Sequence, residues 1–340
     1  MWCTPTYSST TQPTRPLTHL CIAVWPVCAH RTGEWVCLNG NQIAFLFADY
    51  VWQHYAATHP PCDYSKAFML NSTVSSSEVK LMAQKEGFTH FDTLTGFKCM
   101  QTTQHSQTYT TCTRLHHTHC TNGCCTSLLC AWTGMGNMID TVTRERGLEF
   151  LFAFEVEIGY LIGDISLDKD GVRTAAVFYE LAAKLYDEHN TTLLQRLNEL
   201  YDRYGFSAML NSYYYCHNPA TFAAIFTRIR TLHHNSYPAT LGPHTVTSVR
   251  DIPLGIDTAQ SDGKSLLPVV TDSYMLTLRF EGGSSVTLRN SGTEPKLKYY
   301  VECVGSSKEE AKRKCDELAG VVLPELLQPE VNGLMKAGGK

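Results

Sequence analysis

The stretch RNSGTEPKLK, residues 289–298, decides the interpretation of this chain. Alternating apolar residues before and after it predict two β-strands, so the stretch is a loop between strands. Arg289 can donate two parallel hydrogen bonds, Gly292 lets backbone N–H groups turn toward an anion, and Lys298 adds a positive charge. These properties suit a phosphate dianion, although the residue types alone leave a plain polar turn as the alternative. The candidate phosphate ligands are Arg289, Asn290, Ser291, Gly292, Thr293 and Lys298.

A second stretch, FEVEIGY at residues 154–160, places two carboxylates after an apolar run. Residues 149–154 predict a buried strand, and a carboxylate at the end of such a strand can accept hydrogen bonds from sugar hydroxyls. A strand end that turns polar at the surface is the alternative that the pattern alone leaves open. The candidate residues are Glu155 and Glu157.

Five segments, in order and with matching spacing, resemble the α-D-phosphohexomutases, and most closely their phosphoglucomutase-2/phosphopentomutase branch. The loop at 289–295 is similar to the family's phosphate-binding loop, Arg-x-Ser-Gly-Thr-Glu-Pro, and the loop at 154–160 to its sugar-recognition loop. The other three are TVSS at 73–76, TLTGFK at 93–98 and LDKDGV at 167–172. The resemblance covers about residues 35–98 and 135–327.

The resemblance implies roles for individual residues. Glu155 matches the family's acidic sugar contact, and Lys169 matches a lysine that faces the active site. Two positions depart from the branch pattern, Phe-Glu-Glu-Ala-Ile-Gly-Tyr, because Val156 replaces a glutamate and Glu157 replaces a small residue. The carboxylate of Glu157 would repel a phosphosugar dianion. The implied sugar-binding residues are Glu155, Glu157, Thr95, Gly96 and Lys169.

The resemblance also implies the fold class, α/β. Residues 34–205 would form an α/β sandwich domain with a mixed sheet, similar to the family's third domain. Residues 206–330 would form a smaller α+β domain, similar to its fourth. Residues 1–33 are interpreted as an irregular N-terminal segment, 99–134 as a low-complexity insert in the first domain, and 331–340 as a tail.

Periodicity and end signals predict the secondary structure along the chain. Ser75 with Glu78, and Ser306 with Glu309, have the spacing of capping boxes. Helices are predicted over 41–54, 75–87, 137–146, 171–189, 192–204, 221–232 and 306–323. Strands are predicted over 66–70, 88–91, 149–154, 207–216, 276–280, 286–289 and 296–304.

Charge and hydropathy exclude several kinds of partner. The 340 residues carry 28 basic and 32 acidic side chains, a formal charge of −4 at pH 7. This near balance argues against nucleic acid and against an anionic membrane surface as partners. No apolar run reaches the length of a membrane span. We therefore expect a cytoplasmic protein with neither nucleic acid nor membrane as a partner.

The 14 cysteines are concentrated near the N-terminus and within 99–134. This uneven spacing is unlike that of a disulfide scaffold. Cysteines and histidines of 112–130 could supply a tetrahedral zinc site, but their spacing matches no standard zinc finger. The simpler interpretation of 99–134 is an inserted, disordered stretch.

The resemblance implies a phosphosugar mutase, an isomerase that moves a phosphoryl group between the 1-position and the 5- or 6-position through a bisphosphate. Glucose 1-phosphate and ribose 1-phosphate represent the implied substrate class, and Mg²⁺ is the implied cofactor of the full family enzyme. The family's phosphoserine loop, Ser-His-Asn-Pro, and its metal loop, Asp-x-Asp-x-Asp-Arg, do not occur in the sequence. We therefore expect only the substrate- and phosphate-binding parts here, without catalytic residues or metal ligands, and no activity from the chain alone.

Three alternatives stay open from the sequence. One is a catalytically inactive phosphosugar-binding module. Another is a glucose 1,6-bisphosphate synthase, which would share the same binding residues. The third is a zinc-dependent interaction protein built on the Cys/His segment.

Overall fold

The computed structural model describes residues 28–31, 34–96, 134–271, 273–292 and 294–337. The predicted insert, 99–134, therefore lies outside the described residues except for Gly134. The chain divides into two compact units, Met1–Asn39 and Gly40–Lys340.

The first unit contains a small antiparallel pair, β1 (Cys28–Arg31) and β2 (Glu34–Cys37). The prediction placed Cys28–Arg31 in the irregular N-terminal segment and is wrong for these four residues. A strand this short has too few residues to show a period of two, so only its pairing reveals it.

Four strands of the second unit form a mixed sheet in the order β4-β3-β5-β6. They are β3 (Ala67–Ser72), β4 (Thr89–Thr93), β5 (Glu149–Glu155) and β6 (Gly159–Ile162). Strands β3, β4 and β5 are parallel, and β6 runs antiparallel to β5. All six residues of β3 are buried, as expected for a parallel strand covered on both faces.

Five helices accompany this sheet: α1 (Gly40–Thr58), α2 (Glu78–Glu86), α3 (Met135–Arg146), α4 (Gly171–His189) and α5 (Leu193–Tyr204). The side chains of Phe152 and Ala153 point to opposite faces of β5, because side chains alternate along a strand. Phe152 contacts Phe47 of α1, whereas Ala153 shares a core with Met138 of α3. Helices thus cover both faces, which confirms the predicted α/β sandwich with a mixed sheet.

The two ends of segment 97–133 lie close together. The backbone N–H of Met135, the first residue of α3, donates to the carbonyl oxygen of Gly96 at 3.1 Å. The path between these two residues is therefore short enough for a few residues to span.

Deleting residues 99–133 is expected to leave the unfolding temperature unchanged or slightly higher. Residues 97, 98 and 134 would still connect Gly96 to Met135, and closing a shorter loop costs less entropy. Calorimetric unfolding of the full and deleted chains measures the difference. A fall of several degrees, or stoichiometric zinc in the full chain, would contradict the interpretation of this stretch as dispensable.

The other sheet of the second unit is antiparallel, with the order β10-β9-β11-β12-β13-β7-β14, and β8 pairs with β9. Its strands are β7 (Phe206–Tyr215), β8 (Thr240–Leu241), β9 (His244–Asp251), β10 (Ile256–Asp257), β11 (Met275–Phe280), β12 (Ser285–Asn290), β13 (Lys296–Gly305) and β14 (Met335–Lys336). Helices α6 (Pro219–Arg230) and α7 (Lys308–Leu327) share one buried core with it, through Phe226, Leu288 and Val322. This arrangement confirms the predicted α+β part, while the predicted domain boundaries and the tail stay predictions. Three short 3-10 helices, Pro61–Lys66, Ile252–Leu254 and Glu281–Gly283, complete the described elements.

The helices predicted after the two capping boxes are confirmed, but both boxes are wrong. Ser77, not Ser75, precedes α2, and its side chain makes no capping hydrogen bond. The Ser75 hydroxyl instead accepts from the Val156 backbone N–H at 3.0 Å. At α7 the cap lies one residue later, where the Ser307 hydroxyl accepts from the Glu310 N–H at 3.1 Å. Spacing alone does not show which of two neighbouring serines turns toward the helix.

Strands that are short or polar escaped prediction. Strands β6, β8, β10 and β14 have only two to four residues each. Strand β9 is longer, but its two core valines, Val246 and Val249, are three residues apart, and it also buries Ser248, Arg250 and Asp251, so it shows no apolar alternation. Of the described helices, none is long and apolar enough to cross a membrane.

Candidate functional site

Three loops of the mixed sheet leave from one edge. Strands β3, β4 and β5 are parallel, so their carboxyl ends at Ser72, Thr93 and Glu155 lie together. In open α/β sheets this is the edge where ligands bind. The Ser75 hydroxyl accepts a hydrogen bond from the Val156 N–H, so the loop after β3 contacts the loop after β5. The edge therefore gathers segments that lie far apart along the sequence.

A buried apolar seam joins this edge to the antiparallel sheet. Because such a seam excludes water, hydrogen bonds and charges at its rim interact more strongly than on an open surface. The mixed-sheet side contributes Val74, Leu94 and Val156, and the antiparallel side contributes Ile252, Leu267, Met275 and Tyr300.

Glu155 is the centre of the predicted sugar-binding part. Its side chain is only 13% exposed, and one carboxylate oxygen accepts from the Gly96 N–H at 2.5 Å. The other oxygen lies 3.6 Å from Lys169 Nζ. Gly96 has φ of 109°, a backbone conformation that favours glycine and that lets its N–H reach the carboxylate. The structure thus brings Glu155, Gly96 and Lys169 together.

Arg289, at the end of β12, links the predicted phosphate loop to the sugar-binding part. Its Nη1 donates to the Thr95 hydroxyl at 2.5 Å. Its Nε is buried and has no hydrogen-bond partner among the residues that the structure describes. A guanidinium needs acceptors for all of its donors when it is buried, so an anion at this position would complete its hydrogen bonding.

Glu157 and Lys298 form a second link between the two sheets. Lys298 Nζ lies 3.2 Å from a Glu157 carboxylate oxygen. The Glu157 side chain is 59% exposed, whereas that of Lys298 is 21% exposed. The lysine is therefore held by the sheet, and the carboxylate reaches it from the solvent side.

The loop that carries Glu157 has an unusual backbone. Residues 156–158 connect β5 to β6, and Ile158 has φ of 61°. A β-branched residue in this left-handed region costs about 1–3 kcal/mol and persists only where the surroundings hold it. Gly40 is part of those surroundings, because a Cβ there would lie 2.3 Å from the Val156 carbonyl oxygen. The contacts of this loop therefore fix its shape.

The remaining phosphate-loop residues serve different purposes in the structure. The Asn290 side-chain oxygen accepts from the Tyr274 N–H at 2.8 Å, so it extends the pairing between the ends of β11 and β12. The Ser291 N–H donates to the carbonyl oxygen of the first residue of β13. Gly292 has no described atom within 4 Å of the position a Cβ would take, and Thr293 lies outside the described residues. The phosphate-binding and sugar-binding roles of the predicted residues stay predictions.

Tyr300 belongs to the site although the sequence interpretation missed it. It lies buried on β13, two residues after Lys298 and on the same face of the strand. Burial raises the pKa of its hydroxyl, the Arg289 charge lowers it, and the carboxylates of Glu157 and Glu155 raise it. The side chain therefore lies among the charges of both loops. The alternation along β13 was the signal that could have identified it.

Two cavities differ in their relation to the site. A groove of about 340 Å³ is lined by Glu157, Lys298 and Tyr300, so it adjoins the predicted phosphate loop. A cavity of about 640 Å³ lies between α1, α4 and α5, and none of the predicted site residues lines it. The smaller groove is therefore the one that matches the predicted chemistry.

The residues present do not fit a magnesium ion. Across the described part of the chain, no three His, Cys, Asp or Glu side chains lie close enough together to hold a metal. The Cys/His segment at 112–130 lies outside the described residues.

The string CHNP, residues 216–219, differs from the family's phosphoserine loop in one letter but has a structural role. The Asn218 side chain accepts from the Ala220 N–H and caps α6, and Pro219 is the first residue of that helix. Cys216 is buried, and burial raises the pKa of its thiol. A buried thiol with a raised pKa is a poor nucleophile.

Several known proteins are similar in sequence to this chain. Residues 270–321 match the family model described as phosphoglucomutase/phosphomannomutase, C-terminal domain. The chain is 36% identical over 312 residues to the glucose 1,6-bisphosphate synthase of Mus musculus, covering 89% of this chain and 44% of that protein. It is 34% identical over 305 residues to the phosphopentomutase of Mus musculus, covering 88% and 43%. The chain thus spans less than half the length of these relatives.

A solved structure shows the same fold. The chain aligns with pp63/parafusin, a phosphoglucomutase from Paramecium in its open form, with a TM-score of 0.51 and 13% identity, covering 91% of this chain and 43% of that one. At this identity the likeness concerns the fold alone. The matched sequences and the shared fold confirm the predicted family: the chain belongs to the α-D-phosphohexomutase superfamily, in its phosphoglucomutase-2/phosphopentomutase branch.

Proposed function

We propose that this chain supplies the sugar- and phosphate-binding part of a phosphosugar mutase. The enzyme would move a phosphoryl group between the 1-position and the 5- or 6-position of a sugar through a bisphosphate. The observation that carries the proposal is the hydrogen bond from Arg289 to Thr95, 2.5 Å long, between residues 194 positions apart. It joins the predicted phosphate loop to the predicted sugar loop at one place.

The site has a phosphate-binding side and a sugar-binding side. On the phosphate side, the unpartnered Nε of Arg289 and the ammonium of Lys298 would attract the dianion. On the sugar side, the Glu155 carboxylate would accept hydroxyl hydrogen bonds, and the Lys169 ammonium lies 3.6 Å from it. The seam below, with Tyr300, would exclude water from beneath the ligand. These residues orient the phosphosugar and capture its phosphate.

The relatives support a phosphosugar of the glucose 1-phosphate or ribose 1-phosphate class as the ligand. A second candidate is a glucose 1,6-bisphosphate synthase, which the 36% identity to a protein of that name favours. Both activities require the same binding site. Mg²⁺ would supply positive charge for phosphoryl transfer in the whole enzyme. The cytoplasmic location and the lack of nucleic-acid and membrane partners stay predictions from charge and hydropathy.

Replacing Arg289 with alanine is expected to weaken glucose 1-phosphate binding by about ten- to a hundredfold. A hydrogen bond to a charged group contributes roughly 1.5–3 kcal/mol, which corresponds to this range of affinity. Isothermal titration calorimetry of both chains measures the change. The unfolding temperature should fall by only a few degrees, because Arg289 lies at the polar end of β12 and its removal costs one hydrogen bond, to Thr95, without a cavity in the apolar core.

A matched control is Arg313→Ala, which removes an arginine of α7 that forms an exposed ion pair with Glu317. We expect wild-type affinity from it. Equal binding by Arg289→Ala and wild type, or no sugar phosphate binding by the wild-type chain, would contradict the proposal.

A further inference from the structure

The groove beside the phosphate loop is lined by alternating residues of β13. Lys296, Lys298 and Tyr300 point to the same face of the strand and line the groove of about 340 Å³. Two carboxylates, Glu157 and Glu294, line it as well. The groove therefore combines two lysines with two glutamates.

Each lysine of the groove is paired with one of these carboxylates. Lys296 Nζ lies 2.7 Å from Glu294 and 4.3 Å from the ring centre of Tyr213. Lys298 Nζ lies 3.2 Å from Glu157. A phosphate dianion that enters the groove thus meets no excess of positive charge there until a carboxylate moves away.

The two pairs differ in how easily they separate. Glu294 lies only two residues before Lys296, the first residue of β13, so they stay neighbours. Glu157 reaches Lys298 from the loop between β5 and β6, 141 positions away in sequence. Exposed ion pairs of this kind are weak. The Glu157 carboxylate can therefore leave while β13 keeps Lys298 in place.

We propose that Glu157 is a specificity residue that favours phosphosugars over free inorganic phosphate. This role rests on the proposed phosphosugar function. The carboxylate competes with any phosphate for Lys298 and repels the dianion once displaced. A phosphosugar brings hydroxyls that donate to the displaced carboxylate and offset this repulsion, whereas inorganic phosphate brings no such sugar hydroxyls. Specificity is a difference between two affinities. Here the repulsion by Glu157 weakens the binding of inorganic phosphate more than that of the phosphosugar.

Replacing Glu157 with glutamine tests this role. Glutamine keeps the shape of an exposed side chain, so the variant should fold. We expect inorganic phosphate to bind on the order of tenfold more tightly, the size of one repulsion between charges at a partly exposed site. Glucose 1-phosphate affinity should change by less than about threefold, because glutamine still accepts a hydroxyl hydrogen bond. Titration calorimetry with both ligands at low ionic strength measures the two affinities.

The control variant is Glu309→Gln, which makes the same charge change on α7, a helix that does not line the groove. It should alter neither affinity. Unchanged phosphate affinity in Glu157→Gln, equal tightening of both ligands, or no phosphate binding by either chain would overturn the specificity role.

The Arg289→Ala variant separates this inference from the proposed function. If Arg289→Ala weakens both ligands and Glu157→Gln changes nothing, only the specificity role is wrong. If Arg289→Ala binds both ligands as the wild type does, the phosphate site itself is wrong, whatever Glu157→Gln does.

Discussion

Replacing Phe47 with alanine is expected to lower the free energy of unfolding by about 3–5 kcal/mol. Phe47 lies on α1 and is 1% exposed. Its ring centre lies 5.3 Å from those of Tyr160 and Phe178, and 5.9 Å from that of Phe152. Alanine would leave a cavity against β5 and β6, because three rings fixed on separate elements cannot all move to fill it.

Urea unfolding measures this loss, with Phe47→Leu and Tyr179→Ala as controls. Leucine refills much of the space, so its loss should be about half or less. Tyr179 is exposed on α4, and its removal should change the free energy of unfolding by no more than about 0.5 kcal/mol.

Strands β5 and β6 hold the loop at 156–158, so Phe47→Ala should also weaken phosphosugar binding. A loss below about 1 kcal/mol would show that α1 does not anchor these strands.

The free energy of unfolding is expected to depend on pH in opposite directions in two variants, Glu78→Gln and His90→Gln. Glu78 is buried at the start of α2, and burial raises its pKa from 4.5 to about 7. His90 is half-buried on β4, and the loss of solvation there lowers its pKa from 6.5 to about 4. Each residue therefore contributes a pH-dependent term to stability, and the two terms have opposite signs.

The signs follow from which state binds the proton more tightly. Folded Glu78 holds its proton more tightly, so its contribution is complete below pH 4.5 and is lost as pH rises toward 7. Folded His90 holds its proton less tightly, so its contribution is complete above pH 6.5 and is lost as pH falls toward 4. Between these limits the two slopes nearly cancel in the wild-type chain.

As pH rises from 4.5 to 6.5, the free energy of unfolding of Glu78→Gln should increase relative to wild type by about 1.4 kcal/mol per pH unit. That of His90→Gln should decrease relative to wild type by the same amount. Over the whole interval each difference reaches about 3 kcal/mol. Urea unfolding at several pH values measures both, and subtracting the wild-type curve removes most contributions of the other groups. Glu302, which faces Glu78, and Asp92, which faces His90, are present in all three chains. Curves parallel to wild type in both variants would contradict these pKa directions.

Most long elements could be predicted because their signals are local. The helices α1, α4 and α5 show their period and ends within their own residues, and so do strands β5 and β11 to β13. Strand β9 shows no such signal, because its buried Asp251 is satisfied by Arg230 at 2.6 Å and Tyr237 at 2.8 Å. Its polar residues could be recognised as inward-facing only once these partners were in place.

The candidate site could be predicted as segments but not as a network. The residue strings identified Arg289, Glu155 and Lys169, and the structure brings their loops together. The strings did not predict that Asn290 binds the Tyr274 backbone across neighbouring strands, or that Tyr300 lies among the charges of both loops. These roles depend on neighbours contributed by other strands.

The sequence by itself determined most of the long elements, the family and the two loops, because each of these depends on residues that are close together along the chain. Only the tertiary structure decided which side chains meet across the seam. Arg289 reaches Thr95, and Lys298 reaches Glu157, over separations of 194 and 141 residues. Such contacts depend on how two sheets pack against each other, and packing is set by the combined shape of many buried side chains rather than by any local period.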